Sequence, residues 1–155
     1  MTETYFQIMI RIKDSFIPMI KEKLDLGDGT EVDEVDYYLG SGGDSGKTEK
    51  ITVSGRTTLH EFIEKEGALF KLTQEHLSAA DRDGKVKQDE NLVKIEKHRE
   101  LFKQDGVEVA IDHVHDLGTF LEIQGKDQAG VEGICRKLGF TASQYIDHPY
   151  DWLKR

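Results

Sequence analysis

Carboxylates lie on two neighbouring segments of alternating polarity within the stretch Val107 to Gln124. Because successive side chains of a strand point to opposite faces, Glu108 and Asp112 share one face of the first segment. Glu122 shares a face with Gln124 on the second. Carboxylate oxygens are hard ligands that suit Mg²⁺ or Mn²⁺, so Asp112 and Glu122 are predicted metal ligands if this face lines a cavity. The alternative is a sheet face that is exposed to solvent.

Basic residues alternate with isoleucines near the start of the chain, in the segment from Tyr5 to Lys13. One face of this predicted strand is apolar and consists of Ile8, Ile10 and Ile12. The opposite face carries Gln7, Met9, Arg11 and Lys13. Arginine matches phosphate oxygens in pairs, so Arg11 and Lys13 are candidate phosphate-binding residues if the polar face is internal. In the alternative interpretation, that face meets bulk solvent.

The order of several short motifs resembles the CYTH family, the triphosphate tunnel proteins that include class IV adenylyl cyclases and thiamine triphosphatases. The family's Lys-x-Arg pair is matched by Lys97 and Arg99 in KIEKHR. Its Arg-Leu-Thr-x-Lys strand is similar to KLTQEH, which begins at Lys71. Two further segments, VDYYLG (Val35 to Gly40) and HPYDWL (His148 to Leu153), resemble its Asp-x-Tyr segment and its closing Ser-Tyr-x-x-Leu-Leu turn.

The sequence departs from this family at positions that bear on metal binding. Where the family carries Glu-x-Glu-x-Lys on the first strand, this chain has Gln7, Met9 and Arg11. The family's last Glu-x-Glu becomes Glu122 and Gln124. A thioether is a soft ligand that a hard cation does not favour, so Met9 is a poor replacement for a carboxylate.

The resemblance implies an α+β fold, an antiparallel β-barrel with flanking helices, formed by residues 1–155 as a single domain. It implies that Lys71, Lys97 and Arg99 join Arg11 and Lys13 inside the barrel and bind a nucleoside triphosphate or another organic polyphosphate. Two functions stay open. The first is an enzyme that cyclises or hydrolyses its ligand with Mg²⁺ or Mn²⁺; the second is a non-catalytic relative that binds or sequesters a phosphorylated ligand. The resemblance also suggests a homodimer.

Composition excludes some classes of partner. The formal net charge is −9 over 155 residues, which opposes binding to nucleic acid or to anionic lipid surfaces. No apolar run is long enough to cross a membrane, and no signal peptide is recognised, so a cytoplasmic location is expected. The single cysteine, Cys135, fits a reducing compartment and is expected to be a small apolar residue on a helix.

The elements that must position these side chains are a first strand, a helix, a run of strands and a last helix. Asp14 or Ser15 can begin the first helix, with Pro18 in its first turn. We expect strands at Val35 to Leu39 and Leu69 to Leu77, a short helix or irregular turn over His60 to Glu66, a polar loop over Ala79 to Glu90, and a last helix over about Gln128 to Leu138.

Overall fold

Eight strands, each with side chains alternating between two faces, pair into a closed antiparallel barrel in the computed structural model, which describes residues 2–40 and 47–150. The strands are β1 (Glu3–Ile12), β2 (Thr30–Leu39), β3 (Lys47–Ser54), β4 (Thr57–Glu66), β5 (Leu69–His76), β6 (Val93–Gln104), β7 (Val107–Val114) and β8 (Gly118–Gly125). Their order around the barrel is β1-β5-β4-β3-β2-β6-β7-β8. The ring closes because β1 pairs with β5 on one side and with β8 on the other. The predicted α+β barrel with flanking helices is confirmed.

The outer face of β1 packs against two helices. Helix α1 (Ile17–Lys23) follows a 3-10 turn at Asp14–Phe16 and has a proline in its first turn, as expected, and helix α3 covers Gln128–Lys137. The isoleucines of β1 form a buried cluster with the apolar side of these helices. This burial holds the apolar face of β1 outward, so its polar face has to point into the barrel.

Inside the barrel, one half is closed by apolar side chains that we call the apolar plug. It consists of Met9, Tyr38, Ile63, Phe70, Leu72, Ile95, Val114, Phe120 and Tyr150. Tyr150 belongs to the segment after α3, which is fixed to β1 by the hydrogen bond from the backbone N–H of Ile146 to the carbonyl of Met9. The barrel is therefore a pocket with one blocked end, and its other half is lined by polar side chains.

Two expectations about secondary structure were wrong. The segment expected as a short helix or turn at His60 to Glu66 is part of strand β4. Both of its faces mix polar and apolar residues, which hides the alternation of a strand. The expected loop over Ala79 to Glu90 contains helix α2 (Ala79–Gln88), in which no residue is buried. A helix without an apolar stripe gives no periodic signal, although Ser78 caps it by accepting a hydrogen bond from the N–H of Asp81 at 3.1 Å.

None of the helices within the described ranges is long and apolar enough to cross a membrane.

Candidate functional site

The polar half of the barrel encloses a cavity of about 260 Å³ that opens at the end opposite the apolar plug. We call it the bore cavity. Inward-facing side chains from all eight strands line it, because residues of one parity on each strand share the inner face. The charged groups of this lining are Glu34, Lys50, Glu61, Lys97, Arg99, Glu108 and Glu122, and the amides are Gln7, Gln74 and Gln124.

Arg99 is the most heavily bonded cation of the bore cavity. Its Nε donates to Oδ1 of Asp112 at 2.7 Å and its Nη2 to Oδ2 at 2.9 Å, so the two side chains form a two-point ion pair. Nη2 also donates to Oε2 of Glu122, while Nη1 lies 3.7 Å from Oε1 of Glu34. Burial alone would lower the pKa of Arg99, but Asp112 and Glu34 outweigh it and raise the pKa, so the guanidinium is charged.

Lys97 lies deeper than Arg99 and its side chain is only 1% exposed. Its Nζ is 2.9 Å from Oδ2 of Asp36 and 3.5 Å from Oε1 of Glu34. Burial tends to raise the pKa of Asp36, but Lys97 and Lys50 more than offset this and hold the pKa below its ordinary value. Thr52 adds a hydrogen bond to Oδ1 of Asp36 at 2.7 Å. The carboxylate of Asp36 is therefore ionised at neutral pH.

Lys50 provides a third cation from β3, which is separated from β6, the strand of Lys97 and Arg99, by β2 alone. Its Nζ lies 3.3 Å from Oε1 of Glu61. The pKa of Lys50 is raised because attraction to Glu61 and Asp36 exceeds the effect of burial, which opposes it. Oε2 of Glu61 accepts a hydrogen bond from Gln74 at 2.8 Å. Lys50, Lys97 and Arg99 thus bring three positive charges to one cavity.

Carboxylates nevertheless outnumber cations in the polar half. Three cations (Lys50, Lys97 and Arg99) face five buried carboxylates (Glu34, Asp36, Glu61, Asp112 and Glu122) and the partly buried Glu108, an excess of three negative charges. Most of these carboxylate oxygens accept hydrogen bonds or contact an ammonium group. Two of these oxygens accept no hydrogen bond within the described part of the chain and meet cations only as ion pairs. Oδ2 of Asp36 lies 2.9 Å from Nζ of Lys97, and Oε1 of Glu34 lies 3.5 Å from the same Nζ and 3.7 Å from Nη1 of Arg99.

The structure brings together only part of the predicted phosphate-binding set. Lys97 and Arg99 line the bore cavity. Lys71 does not: it alternates with Phe70 and Leu72 of the apolar plug, so its side chain lies on the outside of the barrel near Glu66, at 4.0 Å. The expectation that Lys71 points inward was wrong, because the register of β5 places its neighbours inside.

The two basic residues of the first strand also lie away from the bore cavity. Arg11 is on the inner-facing side of β1, but beyond the apolar plug, where its guanidinium stacks over Phe120 at 5.2 Å and donates to the carbonyl of Leu117. Lys13 follows the end of β1 and is exposed. The expected single cluster of five cations is therefore wrong, because the apolar plug separates Arg11 from Arg99.

The two predicted metal ligands differ in their surroundings. Asp112 is completely buried, and its oxygens already accept hydrogen bonds from Arg99 and from the hydroxyl of Tyr150 at 3.1 Å. Asp112 therefore has no free side toward the cavity, unlike the expectation. Glu122 does line the cavity, but Gln7 donates to its Oε1 at 2.8 Å and Arg99 to its Oε2.

No group of three or more potential ligands in the described ranges is arranged to hold a metal ion by itself. Mg²⁺, however, is usually held by one or two carboxylates together with phosphate oxygens and water. Glu34 fits that partial role, because its Oε1 accepts no hydrogen bond within the described ranges and only faces Lys97 and Arg99 as ion pairs. Glu122 also lines the cavity, but a cation there would have to displace the hydrogen bonds that its oxygens accept from Gln7 and Arg99. The donor set therefore fits a divalent cation that arrives with a phosphate, and does not fit a metal held by protein alone.

Sequence reasoning missed Glu34, Lys50 and Glu61. The alternation was visible for two of them: Lys50 shares a face with Thr52 opposite Ile51, and Glu34 shares a face with Asp36. What was missing was the knowledge of which face points inward, since both faces of these strands carry buried side chains.

Comparisons with solved structures find proteins of the same architecture. The PH1012 protein from Pyrococcus horikoshii OT3 matches with a TM-score of 0.76 and 15% identity over 96% of this chain and 98% of that one. A candidate adenylate cyclase from Vibrio parahaemolyticus matches with a TM-score of 0.67 and 13% identity, covering 98% of both chains. A candidate adenylyl cyclase from Hippeastrum, described as having a dominant triphosphatase activity, matches with a TM-score of 0.56 and 10% identity over 88% of each chain.

The chain has the fold of these cyclase-like proteins. The resemblance to the triphosphate tunnel proteins is thereby confirmed for the architecture. No family model and no curated protein matches the sequence. With identities this low, the likeness describes the barrel and leaves the ligand to be argued from the bore cavity itself.

Proposed function

We propose that the protein binds a phosphorylated small molecule, such as a nucleoside triphosphate or another organic polyphosphate, in the bore cavity. The observation that carries this proposal is the convergence of Lys50, Lys97 and Arg99 on one cavity that is open to solvent at one end. Charge-assisted hydrogen bonds to phosphate are strong where water is largely excluded. The similar fold of a protein described as having triphosphatase activity supports the same ligand class.

The bound form that suits the charges is a complex of phosphate with a divalent cation. The excess of carboxylates opposes a bare polyphosphate, while Glu34, with Glu122 also lining the cavity, would hold Mg²⁺ or Mn²⁺ together with phosphate oxygens. Neutralisation of charge on the phosphate oxygens is the chemistry that such a cation supplies when bound. Arg99, fixed by Asp112, orients its remaining nitrogen toward the same space.

Conversion of the ligand, by cyclisation or by hydrolysis, is the second candidate function. It is favoured by the shared fold with cyclase-like proteins, whereas the replacement of carboxylates by Gln7 and Met9 favours binding without conversion. Gln7 in particular satisfies Glu122 with an amide hydrogen bond. Both candidates share the same binding step.

Calorimetry with ATP and with tripolyphosphate, each in the presence of MgCl₂, tests the binding step. We expect saturable binding that is lost in Lys97→Met, with Lys71→Met as the matched control because Lys71 lies outside the barrel. Absence of heat for every polyphosphate would refute the proposal. Chromatography of the same mixtures then separates the candidates: cyclic AMP, AMP, ADP or phosphate indicates conversion, and unchanged ligand indicates binding alone.

A further inference from the structure

We propose that the outer wall of the barrel carries a zinc-binding site in which His98 and His113 are the protein ligands. The site is separate from the bore cavity, and it does not depend on the proposed function. Its basis is a row of paired residues that crosses four neighbouring strands, with the two histidines at its centre.

Four residues lie side by side on β2, β6, β7 and β8. In the strand register, Asp33 pairs with His98, His98 with His113, and His113 with Thr119; we call these residues the histidine row. Sequence neighbours such as Lys97 point into the barrel, so the row lies on the outer face. Residues directly opposite each other on antiparallel strands have Cβ atoms about 4.5–5.5 Å apart. Two imidazoles at that spacing can reach one metal ion, since zinc binds a histidine nitrogen at about 2.0–2.1 Å.

Each imidazole is held through its Nδ1 by the outer member of the row. Nδ1 of His98 lies 2.7 Å from Oδ1 of Asp33, and Nδ1 of His113 lies 3.2 Å from Oγ1 of Thr119. The hydroxyl of Thr119 donates to Asp14, so its oxygen accepts from His113. Because both rings donate from Nδ1, Nε2 keeps the lone pair that a metal ion needs. Metal-binding histidines usually have their other nitrogen held in this way.

The surroundings of the histidine row favour a cation and leave it open to solvent. Asp33, His98 and His113 line a groove of about 500 Å³ on the outer wall, and the side chain of His98 is 44% exposed. Oε1 of Glu31 lies 3.4 Å from Nε2 of His98 and adds a negative charge. Three protein ligands do not converge on one point within the described ranges, so water would fill the remaining positions of the ion. Imidazole suits Zn²⁺, whereas Mg²⁺ favours oxygen ligands.

Calorimetry of the protein without a histidine tag, titrated with ZnCl₂, tests the proposal. Hydrogen bonds to Asp33 and then to Glu31 raise the pKa of His98, so the titration is made at about pH 8, where protons compete less with the metal. The variants are His98→Gln and His113→Gln. The matched control is His76→Gln, which replaces an exposed histidine of β5 on the opposite side of the barrel. NMR of the imidazole nitrogens then identifies which histidines bind.

We expect one zinc ion per protein, with the Nε2 resonances of His98 and His113 shifted by ZnCl₂ and unmoved by MgCl₂. Saturable binding should be lost in His98→Gln and in His113→Gln, because a single imidazole remains. Asp33→Asn, which removes the carboxylate that holds His98, should weaken binding by about 10–100-fold. The control His76→Gln should bind zinc as the unchanged protein does.

Absence of zinc binding to the unchanged protein would overturn the proposal, and so would equal affinity in the unchanged protein and both variants of the two row histidines. NMR shifts confined to other histidines would also overturn it. The NMR measurement uses the unchanged protein, so it decides the question even if a variant does not fold. None of these results bears on polyphosphate binding in the bore cavity, which Lys97→Met tests.

Discussion

Gln7 donates a hydrogen bond from its Nε2 to Oε1 of Glu122 at 2.8 Å, across the pair formed by β1 and β8. The same amide nitrogen lies 3.2 Å from Oε1 of Gln124. A carboxylate at position 7 would instead face Glu122 without a donor and would require a cation between them. The amide therefore satisfies Glu122 within the protein and lowers its value as a metal ligand.

Replacing Gln7 by glutamate should reverse that relationship. Gln7→Glu is expected to lower the free energy of unfolding by about 1–3 kcal/mol in EDTA, because a buried carboxylate loses its donor. Added Mn²⁺ should restore stability in the variant and raise its melting temperature by about 2–4 °C per kcal/mol recovered, with no effect on the unchanged protein. Scanning fluorimetry measures this. The exposed Gln88→Glu is the control, and a variant indifferent to Mn²⁺ would contradict the interpretation of Gln7.

Arg99 should be important for stability as well as for binding. Arg99→Met leaves Asp112 and Glu122 buried without their main donor, and breaking such a pair costs about 3–5 kcal/mol. Urea denaturation at neutral pH checks this. The control is Arg136→Met, which replaces an exposed arginine and should change the free energy of unfolding little. An Arg99→Met variant as stable as that control would show that the contacts of Arg99 with Asp112 and Glu122 do not stabilise the fold.

The hydroxyl of Tyr150 should position Arg99 through Asp112. Burial, followed by the charge of Asp112, raises the pKa of Tyr150, so the hydroxyl stays protonated and donates. Tyr150→Phe keeps the ring that packs on Phe120 and should cost about 1–3 kcal/mol. Calorimetry should also show several-fold weaker binding of Mn²⁺–tripolyphosphate. Tyr37→Phe is the control, because Tyr37 lies on the outer face of β2 between the inward-facing Asp36 and Tyr38; equal behaviour of the two variants would refute the role of Tyr150.

The contribution of Asp36 to stability should depend on pH in a defined direction. The folded protein holds the pKa of Asp36 below its ordinary value of 3.8, so the carboxylate stabilises the fold above that pH and loses its effect as the pH falls toward the lowered pKa. Asp36→Asn should therefore cost about 3–5 kcal/mol at pH 7, and less as the pH falls below 3.8. Unfolding curves at several pH values test this, and a difference that grows on acidification would contradict it.

The sequence predicted more of the fold than of the candidate site. The alternation of Ile8, Ile10 and Ile12 with polar residues identified which face of β1 packs on helices, and the motif order predicted the barrel. Helix α2 could not be predicted, since its stability comes from a cap and surface contacts, which leave no apolar period.

Only part of the site was predicted. The alternation along a strand shows which residues share a face of the barrel wall, but not how far along the barrel axis each of them lies. Lys97 and Arg99 were correctly expected inside the barrel, and Glu122 beside them. Arg11 was correctly placed on the inner face of β1. Only the packing of Phe120 and the other residues of the apolar plug shows that Arg11 lies at the end of the barrel opposite the bore cavity. Lys71 was misplaced because one residue of register moves a side chain to the other face.

The most direct test of the account is a crystal of the protein soaked with MnCl₂ and tripolyphosphate, analysed by anomalous diffraction. We predict an anomalous manganese peak in the bore cavity beside Glu34 and Glu122, with phosphate density contacting Arg99 and Lys50. A fully occupied ligand on the outside of the barrel, with the bore cavity holding only water, would contradict the account.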